Sequence, residues 1–538
     1  MKSLVRVLLS GALLASLLVP AGAVPGAARE SSAGEPRVED PIIVESKDGT
    51  PIVATLMLPA GASEGSPAPV VLQTHGWGGT RARTPGGFLG RLLDRGYAVM
   101  TWDSRGFGES GGEANIGAPG FEVADARALI DYLAARPEIL QDAPGDPRLG
   151  WIGGSNAAGV QFNTAAVDRR IEAIVPEISW GNLVRDLLPG GVLKQTWDLI
   201  LYGAGAATAA TLGIWSPAGP QTGIFAEEIH LAFAQGASTG NLDDDLIAWF
   251  SKRSTTRRSH KVDAPTLIIQ GSVDTLFPLN DAFENYRNLV GAGTPVKLMT
   301  YCAGHTLGCD YPGGASGDPK DTSDARPVFE QRIMAWLDRH VKGERVATGA
   351  QVEWQAQDGY YYAAPSYPLP HTKRRSVRVV KDVTLAGPGA TGGDDIAAGG
   401  PAPQTEIGTT AHRRIILRKA GRPRAILGNP RISIKGETLG VAGHAFFELV
   451  DVAPNGKRVT LDDQTMPRAL ELGEFKTSFN LHGVSWMLKP GHKLELEITT
   501  GSAQYSIPRT GPYRVTFDKA AVKLPLTRWK AHKRRVTP

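Results

Sequence analysis

Three residues whose side chains can carry out nucleophilic chemistry follow predicted strands. Ser155 lies in LGWIGGSNAAGVQ, where a short apolar strand gives way to a run of small residues, Asp274 follows the apolar stretch LIIQG, and His305 follows VKLMTY. A serine that is activated by a histidine, whose ring is oriented by a carboxylate, attacks carbonyl carbon atoms. The order serine, acid, histidine along the chain therefore predicts a hydrolytic triad, with His305 as general base and Asp274 as the acid that orients it.

The turn at Ser155 departs from the Gly-x-Ser-x-Gly pattern, because Ala157 stands where the last glycine would be. A sharp strand-to-helix turn brings the backbones of positions 153 and 157 close together, so both residues must be small. Alanine is the smallest step up from glycine, and we expect Ser155 to occupy a nucleophile elbow. One motif match alone would equally fit an ordinary serine in a turn, and the two partners are what favour the nucleophile.

Two backbone N–H groups are predicted to bind the oxyanion. The segment THGWGG follows the early strand PVVLQ, where this arrangement supplies one N–H group, here from Trp77; the residue after the nucleophile, Asn156, supplies the other. His75 could also be taken for the base, and either His75 or Asp103 could have a catalytic role. We expect them to brace their loops instead, with Asp103 paired to Arg105.

The segments that carry these residues alternate between strand and helix patterns. The runs PVVLQ, YAVMTW, LGWIGG, IEAIVPE, LIIQG and VKLMTY are apolar, and helical patterns such as VADARALIDYLAARPEI lie between them. This alternation predicts an α/β catalytic domain with a parallel sheet over residues 42–345, opened by a hairpin around Asp48. Residues 181–262 are rich in Leu, Ala and Trp without a strand pattern, and we interpret them as a helical cap insertion at the carboxyl edge of the sheet.

Residues 346–526 have a different pattern. Short alternating runs such as RRIILRK, HAFFELVDV and HKLELEITT are separated by turns, which predicts an antiparallel β-sandwich. The run AGPGATGGDDIAAGGPAP within it is predicted to be a loop. Residues 527–538 form a basic tail, expected to be solvated, with binding to an anionic cell surface as the alternative.

The N-terminal residues predict export. Lys2 and Arg6 precede an apolar run that ends at Pro20, and residues 1–23 close with the small residues Ala-Gly-Ala, a pattern typical of a cleaved signal peptide followed by a spacer over residues 24–41. A permanent anchor would need about 20 continuous apolar residues. We therefore expect a secreted protein without a membrane span after signal cleavage.

Composition narrows the function further. The chain has 538 residues, 42% of them hydrophobic and 21% charged, as in globular proteins of more than one domain. Its net charge of +4 gives no reason to expect that it binds nucleic acid.

The two cysteines, Cys302 and Cys309, flank His305. In an oxidising compartment they predict a disulfide, since two thiols and one imidazole are too few ligands for a zinc site. The residues imply neither a metal nor an organic cofactor, and they do not indicate an oligomeric state.

Several motifs together resemble one family. HGWGG, DSRGFGESGG, GGSNAAGVQ, AIVPEISW, GSVDTLFPL and GH are similar to the catalytic domain of the X-prolyl dipeptidyl peptidase and cocaine esterase family of serine hydrolases, and FFELVDVAPNGKRVT with PGHKLELEI resembles its jelly-roll-like domain. The resemblance implies an α/β-hydrolase domain with Ser155, Asp274 and His305 as triad, and a helical cap and jelly roll that enclose an acyl pocket.

This sequence also departs from the family pattern. Asn156 stands where relatives usually have an aromatic residue, and Ala157 and Ala158 stand where they often have glycine. Some family esterases use a tyrosine hydroxyl in the oxyanion hole, and Trp77 at that position offers only its backbone N–H group. The resemblance therefore leaves the shape of the acyl pocket open.

The substrate depends on whether the pocket holds an ammonium group. Family members that act on free N-termini or α-amino esters need carboxylates near the pocket. The candidates here are Glu177, Asp243, Asp244 and Asp245, although an acidic run of this kind also suits the solvated start of a helix. We expect a serine hydrolase that cleaves small carboxylic esters or amides through an acyl-enzyme. The alternatives are an X-Pro dipeptidyl peptidase and a non-catalytic surface-binding protein on a hydrolase scaffold.

Overall fold

The computed structural model describes residues 34–212, 225–305, 311, 327–378, 383–387, 412–502, 504–505 and 513–528. The predicted signal peptide over residues 1–23, Cys309, most of the predicted Gly/Ala/Pro-rich loop and all but two residues of the basic tail lie outside the described residues. Among the residues described, no helix combines the length and the apolar character needed to cross a membrane.

The first part of the chain alternates strands and helices, after an antiparallel pair that matches the predicted hairpin. The elements up to the nucleophile are β1 (Arg37–Glu45), β2 (Pro51–Leu58), β3 (Val70–Thr74), α1 (Gly87–Asp94), β4 (Ala98–Trp102), α2 (Glu122–Ala134), β5 (Gln141–Ala143), β6 (Asp146–Pro147) and β7 (Leu149–Gly154). After it come α3 (Asn156–Ala165), β8 (Ile171–Glu177), α4 (Leu183–Leu187), α5 (Gln195–Leu212), α6 (Glu227–Thr239), α7 (Asp244–Ser251), β9 (Thr266–Gly271), α8 (Leu279–Ala292), β10 (Val296–Tyr301), α9 (Val328–His340), β11 (Val352–Gln355) and β12 (Tyr361–Ala364).

Ten of these strands form one mixed sheet in the order β1-β2-β4-β3-β7-β8-β9-β10-β11-β12. The seven strands from β4 to β11 are parallel, and the strands at either end of the sheet pair antiparallel. Every residue of β9 and β10 is buried, as expected for strands covered by helices on both faces. Because parallel strands share one carboxyl edge, the loops after β3, β7, β9 and β10 meet there.

The described part of residues 181–262 contains helices and short 3₁₀ turns joined by loops, with one isolated β-bridge at Phe225. The helices α4 to α7 lie between β8 and β9 in the chain and share a core with the loops at the carboxyl edge. That core contains Trp180, Trp197, Leu246, Phe250 and Phe277. These helices therefore stand directly beside the loops that carry the predicted site.

Two antiparallel sheets make up the C-terminal part. The strands are β13 (Lys373–Arg378), β14 (Val383–Gly387), β15 (His412–Lys419), β16 (Arg424–Gly428), β17 (Arg431–Gly440), β18 (Gly443–Val452), β19 (Arg458–Leu470), β20 (Gly473–Asn480), β21 (Val484–Leu488), β22 (Lys493–Thr499) and β23 (Tyr513–Arg528). Seven of them, including the long strand β23, form one sheet, and the other four form the sheet β15-β22-β18-β19. Side chains from both sheets share one apolar core, so the sheets pack face to face.

The predicted start of the sandwich at residue 346 is wrong. The strands β11 and β12 extend the ten-stranded sheet, with β11 paired parallel to β10 and β12 antiparallel to β11. The reason is packing, because Val352 and Trp354 are fully buried in the core of that sheet. Short alternating strands look alike in sequence whether they end one sheet or begin the next.

Candidate active site

Ser155 occupies a sharp turn between β7 and α3. Its backbone is left-handed, with φ 57° and ψ −121°, a conformation that non-glycine residues rarely adopt. A Cβ atom at Gly153 would lie 2.8 Å from the Ala157 Cβ atom and 3.2 Å from Gln161 Nε2. Ala157 is therefore accommodated because Gly153 has no side chain. The turn presents the half-buried serine side chain at the carboxyl edge of the sheet, as in a nucleophile elbow.

The structure brings Ser155, His305 and Asp274 together in one hydrogen-bonded chain. The Ser155 Oγ atom lies 2.7 Å from His305 Nε2, and His305 Nδ1 lies 2.7 Å from Asp274 Oδ2. Asp274 is fully buried, and its Oδ1 atom accepts the backbone N–H groups of Leu276 and Phe277 at 2.9 Å each. With Nδ1–H donated to the carboxylate, Nε2 is free to accept the serine proton, which is the arrangement of a nucleophile, a base and an orienting acid.

The approach of His305 to Asp274 depends on glycines at two strand ends. A Cβ atom at Gly304, whose φ is 148°, would lie 2.5 Å from the Asp274 Cβ atom, and one at Gly271 would lie 2.0 Å from the Ala303 carbonyl oxygen. Cys302, between them, is buried and donates its backbone N–H to Gln355 Oε1. Its predicted disulfide partner, Cys309, lies outside the described residues, so that disulfide stays a prediction.

The loop after β3 runs directly against the serine. A Cβ atom at Gly76 would lie 3.5 Å from the Ser155 Cβ atom, so the backbone of this loop is next to the nucleophile. Trp77 and Asn156 both line the pocket beside Ser155. The indole N–H of Trp77 donates to the Leu201 carbonyl at 2.9 Å, which ties the loop to α5. The residues predicted to supply the oxyanion donors therefore line the same pocket as the serine, and their role stays a proposal.

His75 and Asp103 are engaged in loop contacts. His75 Nε2 accepts the backbone N–H of Ser104 at 2.9 Å and Nδ1 donates to the Gly76 carbonyl at 2.7 Å, while burial lowers the pKa of its ring. The predicted pair of Asp103 with Arg105 is wrong, because the carboxylate of Asp103 binds the backbone N–H and the guanidinium of Arg81. Arg105 points away to a different carboxylate, Asp125, at 2.5 Å.

A mostly apolar pocket opens beside the serine. Its wall comes largely from the helical segment between β8 and β9, and it suits the apolar part of a substrate. The lining residues are Trp77, Ile116, Ser155, Asn156, Trp180, Leu183, Leu187, Leu193, Asp198, Leu201, Tyr202, Ile229, Ala232, Phe233, Leu242, Phe250, Leu276 and Phe277.

The four acids predicted to hold an ammonium group are not among these lining residues. Glu177 accepts the hydroxyl of Tyr301, and Asp243 caps α7 by accepting the Leu246 N–H at 2.9 Å. Asp244 and Asp245 are exposed in the first turn of the same helix. The acidic run is therefore the solvated start of a helix, which was the stated alternative.

The one carboxylate among the lining residues described is Asp198, which sequence reasoning missed. It stands on α5, in QTWDLILYGAGAATAATL, where it is the sole charged residue. Burial raises the pKa of its carboxyl to about 8. A single acid in an otherwise apolar helix was the signal that could have found it. In the part of the chain that the structure describes, no group of three His, Cys, Asp or Glu side chains could hold a metal ion.

Known proteins resemble this chain in sequence. A sequence model of the X-Pro dipeptidyl-peptidase (S15) family matches residues 48–306. The quorum-quenching protein AidA of Acinetobacter baumannii is 31% identical over 231 residues, which are 39% of this chain and 71% of that protein. Four other matches, uncharacterized proteins from Pseudomonas aeruginosa and Escherichia coli, are covered over 33% to 52% of their length, so the chain spans at most about half of these relatives.

Solved structures resemble the chain over nearly its whole length. An aminopeptidase from a marine sediment Thaumarchaeota archaeon has a TM-score of 0.67 at 13% identity, covering 95% of this chain and 100% of that one. A CocE/NonD family hydrolase from Staphylococcus aureus has a TM-score of 0.64 at 13% identity, covering 91% of this chain and 94% of that one. At this identity the likeness establishes the shared fold alone.

Proposed function

Because the chain belongs to the X-Pro dipeptidyl-peptidase and cocaine esterase family of serine hydrolases, we propose that Ser155, His305 and Asp274 are its catalytic triad. The chain is a hydrolase of the class that acts on ester or peptide substrates. The observation that supports the triad most directly is the continuous chain of two 2.7 Å contacts from Ser155 Oγ through the His305 ring to Asp274. We propose that small carboxylic esters are the preferred substrates.

The proposed reaction proceeds through an acyl-enzyme. Ser155 Oγ attacks the ester carbonyl carbon while His305 Nε2 takes the hydroxyl proton, and the backbone N–H groups of Trp77 and Asn156 bind the oxyanion. His305 then protonates the leaving alcohol as the carbon–oxygen bond breaks. A water molecule, deprotonated by the same nitrogen, releases the acid and restores Ser155. Asp274 stabilises the imidazolium in both halves of the reaction.

The pocket lining supports an apolar acyl group. Leu183, Leu187, Leu201, Ile229 and Phe250 surround the space next to Ser155. Transferring an aliphatic acyl chain from water into such a site stabilises binding by about 0.8 kcal/mol per methylene group. Medium-chain esters should therefore have a lower KM than acetate esters.

The second candidate is a dipeptidyl peptidase, and one observation favours it. Asp198 places a carboxylate in the pocket wall, where an ammonium group could bind. Its pKa of about 8 leaves most of the carboxyl uncharged at neutral pH, so a free amine would first have to pull a proton from it. This weakens the case for amines, and plain esters remain the primary proposal.

The two candidates separate in one comparison. Mature protein would be assayed on p-nitrophenyl butyrate and octanoate and on Ala-Pro p-nitroanilide, with Ser155→Ala and Asp198→Asn in parallel. Ester turnover that Ser155→Ala abolishes and Asp198→Asn retains supports the esterase. Preferential cleavage of the anilide, lost in Asp198→Asn, would replace it with the peptidase.

A fluorophosphonate probe tests the remaining alternative, a non-catalytic surface-binding protein. Labelling of the folded protein at Ser155, absent in Ser155→Ala, is the expected result. An unlabelled Ser155 in folded protein would favour the binding protein.

We also propose how the chain is built and where it acts. The helices α4 to α7 form a cap, a role supported by the share of the pocket wall that they supply. The C-terminal sheets form a jelly-roll-like domain, and residues 1–23 direct secretion, which the basic start and apolar run support. Cys302 and Cys309 then form a disulfide. N-terminal sequencing of exported protein and a thiol count without reduction test the last two points.

A further inference from the structure

We propose that Lys194 is a positioning residue for the acid of the triad. Lys194 lies outside the ten-stranded sheet, and its buried ammonium group fixes the loop that carries Asp274. The inference deepens the proposed function and rests on the triad proposed there. Lys194 directly precedes α5 and is completely buried. Nothing in its local sequence, GGVLKQTWD, marks it as part of the site.

The contacts of Lys194 fall on the backbone immediately after the acid. Its Nζ atom donates to the carbonyl oxygens of Thr275 and Leu276, both at 2.8 Å. On its other side the same loop donates the N–H groups of Leu276 and Phe277 to Asp274 Oδ1. The loop is therefore held between a carboxylate that binds its N–H groups and an ammonium that binds its carbonyls, and this curl aims Asp274 Oδ2 at His305.

Two more side chains from outside the sheet hold the same loop. Trp197, one turn along α5, donates its indole N–H to Thr275 Oγ1 at 3.1 Å, and its ring lies nearly perpendicular to that of His305 with ring centroids 6.1 Å apart. Gln464, on β19 of the C-terminal sheets, donates Nε2–H to the carbonyl oxygen of Asp274 at 2.9 Å. Lys194 is the charged member of this group.

The positive charge of Lys194 distinguishes the proposed positioning role from that of a neutral hydrogen-bond donor. Burying an ammonium group is costly, and burial lowers the pKa of Lys194 to about 8. A neutral donor would satisfy two carbonyls at less cost, whereas a cation also favours ionised carboxylates nearby. The titratable groups that act on Lys194 from neighbouring elements are Asp186, Asp198, Asp274, Asp281 and His482.

The test compares Lys194→Met with Lys297→Met. Lys297 is a matched control because it is also buried, donates to a backbone carbonyl, that of Ala350, and pairs with Glu353 at 2.8 Å, but it stands at the start of β10, away from the site. Both variants should lose thermal stability. Only Lys194→Met should lower kcat on p-nitrophenyl butyrate, by about tenfold or more, with KM changed less than about twofold.

The pH profile supplies a readout that a purely structural role would not move. Removing a cation near the triad favours binding of a proton by the free enzyme, so the acid limb of the kcat/KM profile should move to higher pH in Lys194→Met and stay in place in Lys297→Met. Gln464→Leu, which removes no charge, should lower kcat without moving the limb. Unchanged kcat and an unchanged limb in folded Lys194→Met, or equal losses in both lysine variants, would overturn the proposal.

An NMR signal tests the positioning role independently of whether the proposed reaction takes place. The proton between His305 Nδ1 and Asp274 should give a far-downfield ¹H NMR resonance, identified by its absence in His305→Gln. Loss or displacement of that resonance in Lys194→Met, with no change in Lys297→Met, is expected even if no ester or peptide is turned over. A resonance that stays the same in both variants rejects the positioning role, whereas absent Ser155-dependent turnover rejects only the proposed function.

Discussion

The backbone of Ser155 has a strained conformation, with a positive φ of 57°. A left-handed conformation at a non-glycine residue costs of order 1–3 kcal/mol. The Ser155 N–H donates to the Glu177 carbonyl at 3.0 Å, and the Ser155 carbonyl accepts the N–H of Ala158, so β8 and the first turn of α3 hold the turn on both sides. This strain places the hydroxyl where the His305 ring can reach it.

The orienting role proposed for Asp274 gives a first prediction. Asp274→Asn should keep the loop folded, because an amide oxygen can still accept the N–H groups of Leu276 and Phe277. The amide favours the wrong tautomer of His305, and in a serine triad this change lowers kcat by about ten-thousandfold. Steady-state kinetics on p-nitrophenyl butyrate check it, with circular dichroism as the control for folding. A loss smaller than tenfold would remove Asp274 from the triad.

Glu122 gives a prediction about pH and stability. It is buried at the start of α2, accepts the backbone N–H groups of Asn115 and Ala118, and burial raises its pKa from 4.5 to about 7. The folded state therefore binds this proton more tightly than the unfolded state, and stability falls as the pH rises from about 4.5 through 7.

The variant Glu122→Gln has no titratable group at this position, so its stability does not depend on this proton. Between pH 4.5 and 7 the wild type should lose about 3 kcal/mol of unfolding free energy relative to the variant. Urea unfolding at pH 4.5, 5.5 and 7 measures the difference. A constant difference between the two proteins over this range would show that Glu122 titrates normally.

Among the elements, α5 touches most parts of the site. It offers Trp197 to His305, Asp198 to the pocket and the Leu201 carbonyl to the Trp77 indole. Gly205, one turn further on, lies so close to the loop after β3 that a Cβ atom at this position would be 2.7 Å from Trp77 Nε1, and it would also be 2.5 Å from Phe225 Cζ. The helix can approach the loop only because this position has no side chain.

A pair of glycine variants on α5 tests this close approach. Gly205→Ala should displace Trp77 and lower kcat/KM by about tenfold or more, as expected when an oxyanion donor moves. Gly203, on the same helix, has no atom within 4 Å of a Cβ atom, so Gly203→Ala should keep full activity and stabilise the helix by about 1 kcal/mol. Equal activity of the two variants would mean that the loop does not need this approach.

At the scale of the whole molecule, the ten-stranded sheet and the C-terminal sheets pack against each other through a shared apolar core and hydrogen bonds. Ala425, Leu427 and Met487 belong to the same apolar core as the strands of the ten-stranded sheet. Asn280 on α8 accepts the N–H of Gly483 and donates to the Leu481 carbonyl at 3.3 Å. With Gln464 on the Asp274 carbonyl, these contacts make the C-terminal sheets part of the site's support.

This packing predicts that the molecule unfolds as one unit. Calorimetry of the full chain should show a single transition. A chain ending at residue 345 should fail to give a soluble monomer by size-exclusion chromatography, because it lacks β11 and β12, leaves β10 as an open edge and exposes an apolar face. A soluble, active monomer from the shortened chain would contradict this prediction. It would show that the first 345 residues hold the three triad residues in place without the C-terminal sheets.

Much of the catalytic sheet was predictable because its signals are local. Apolar runs that end in glycine-rich or polar loops identify parallel strands, and parallel strands place their carboxyl ends together. That reasoning predicts the elbow at Ser155 and the positions of Asp274 and His305, and the structure brings these three side chains within hydrogen-bonding distance. The hairpin of β1 and β2 likewise follows from alternation around a turn.

By itself, the sequence determined which segments form the strands of the parallel sheet, which loops end them and which three residues on those loops are the candidate triad, since each of these signals depends on neighbours a few positions away. Tertiary structure alone decided which sheet β11 and β12 join, that Asp103 meets Arg81, and that Asp198 faces the pocket. It also decided that Lys194 and Gln464 reach the loop of Asp274. These partners are distant in the chain, and only the packing of separate elements into one core determines which side chains meet.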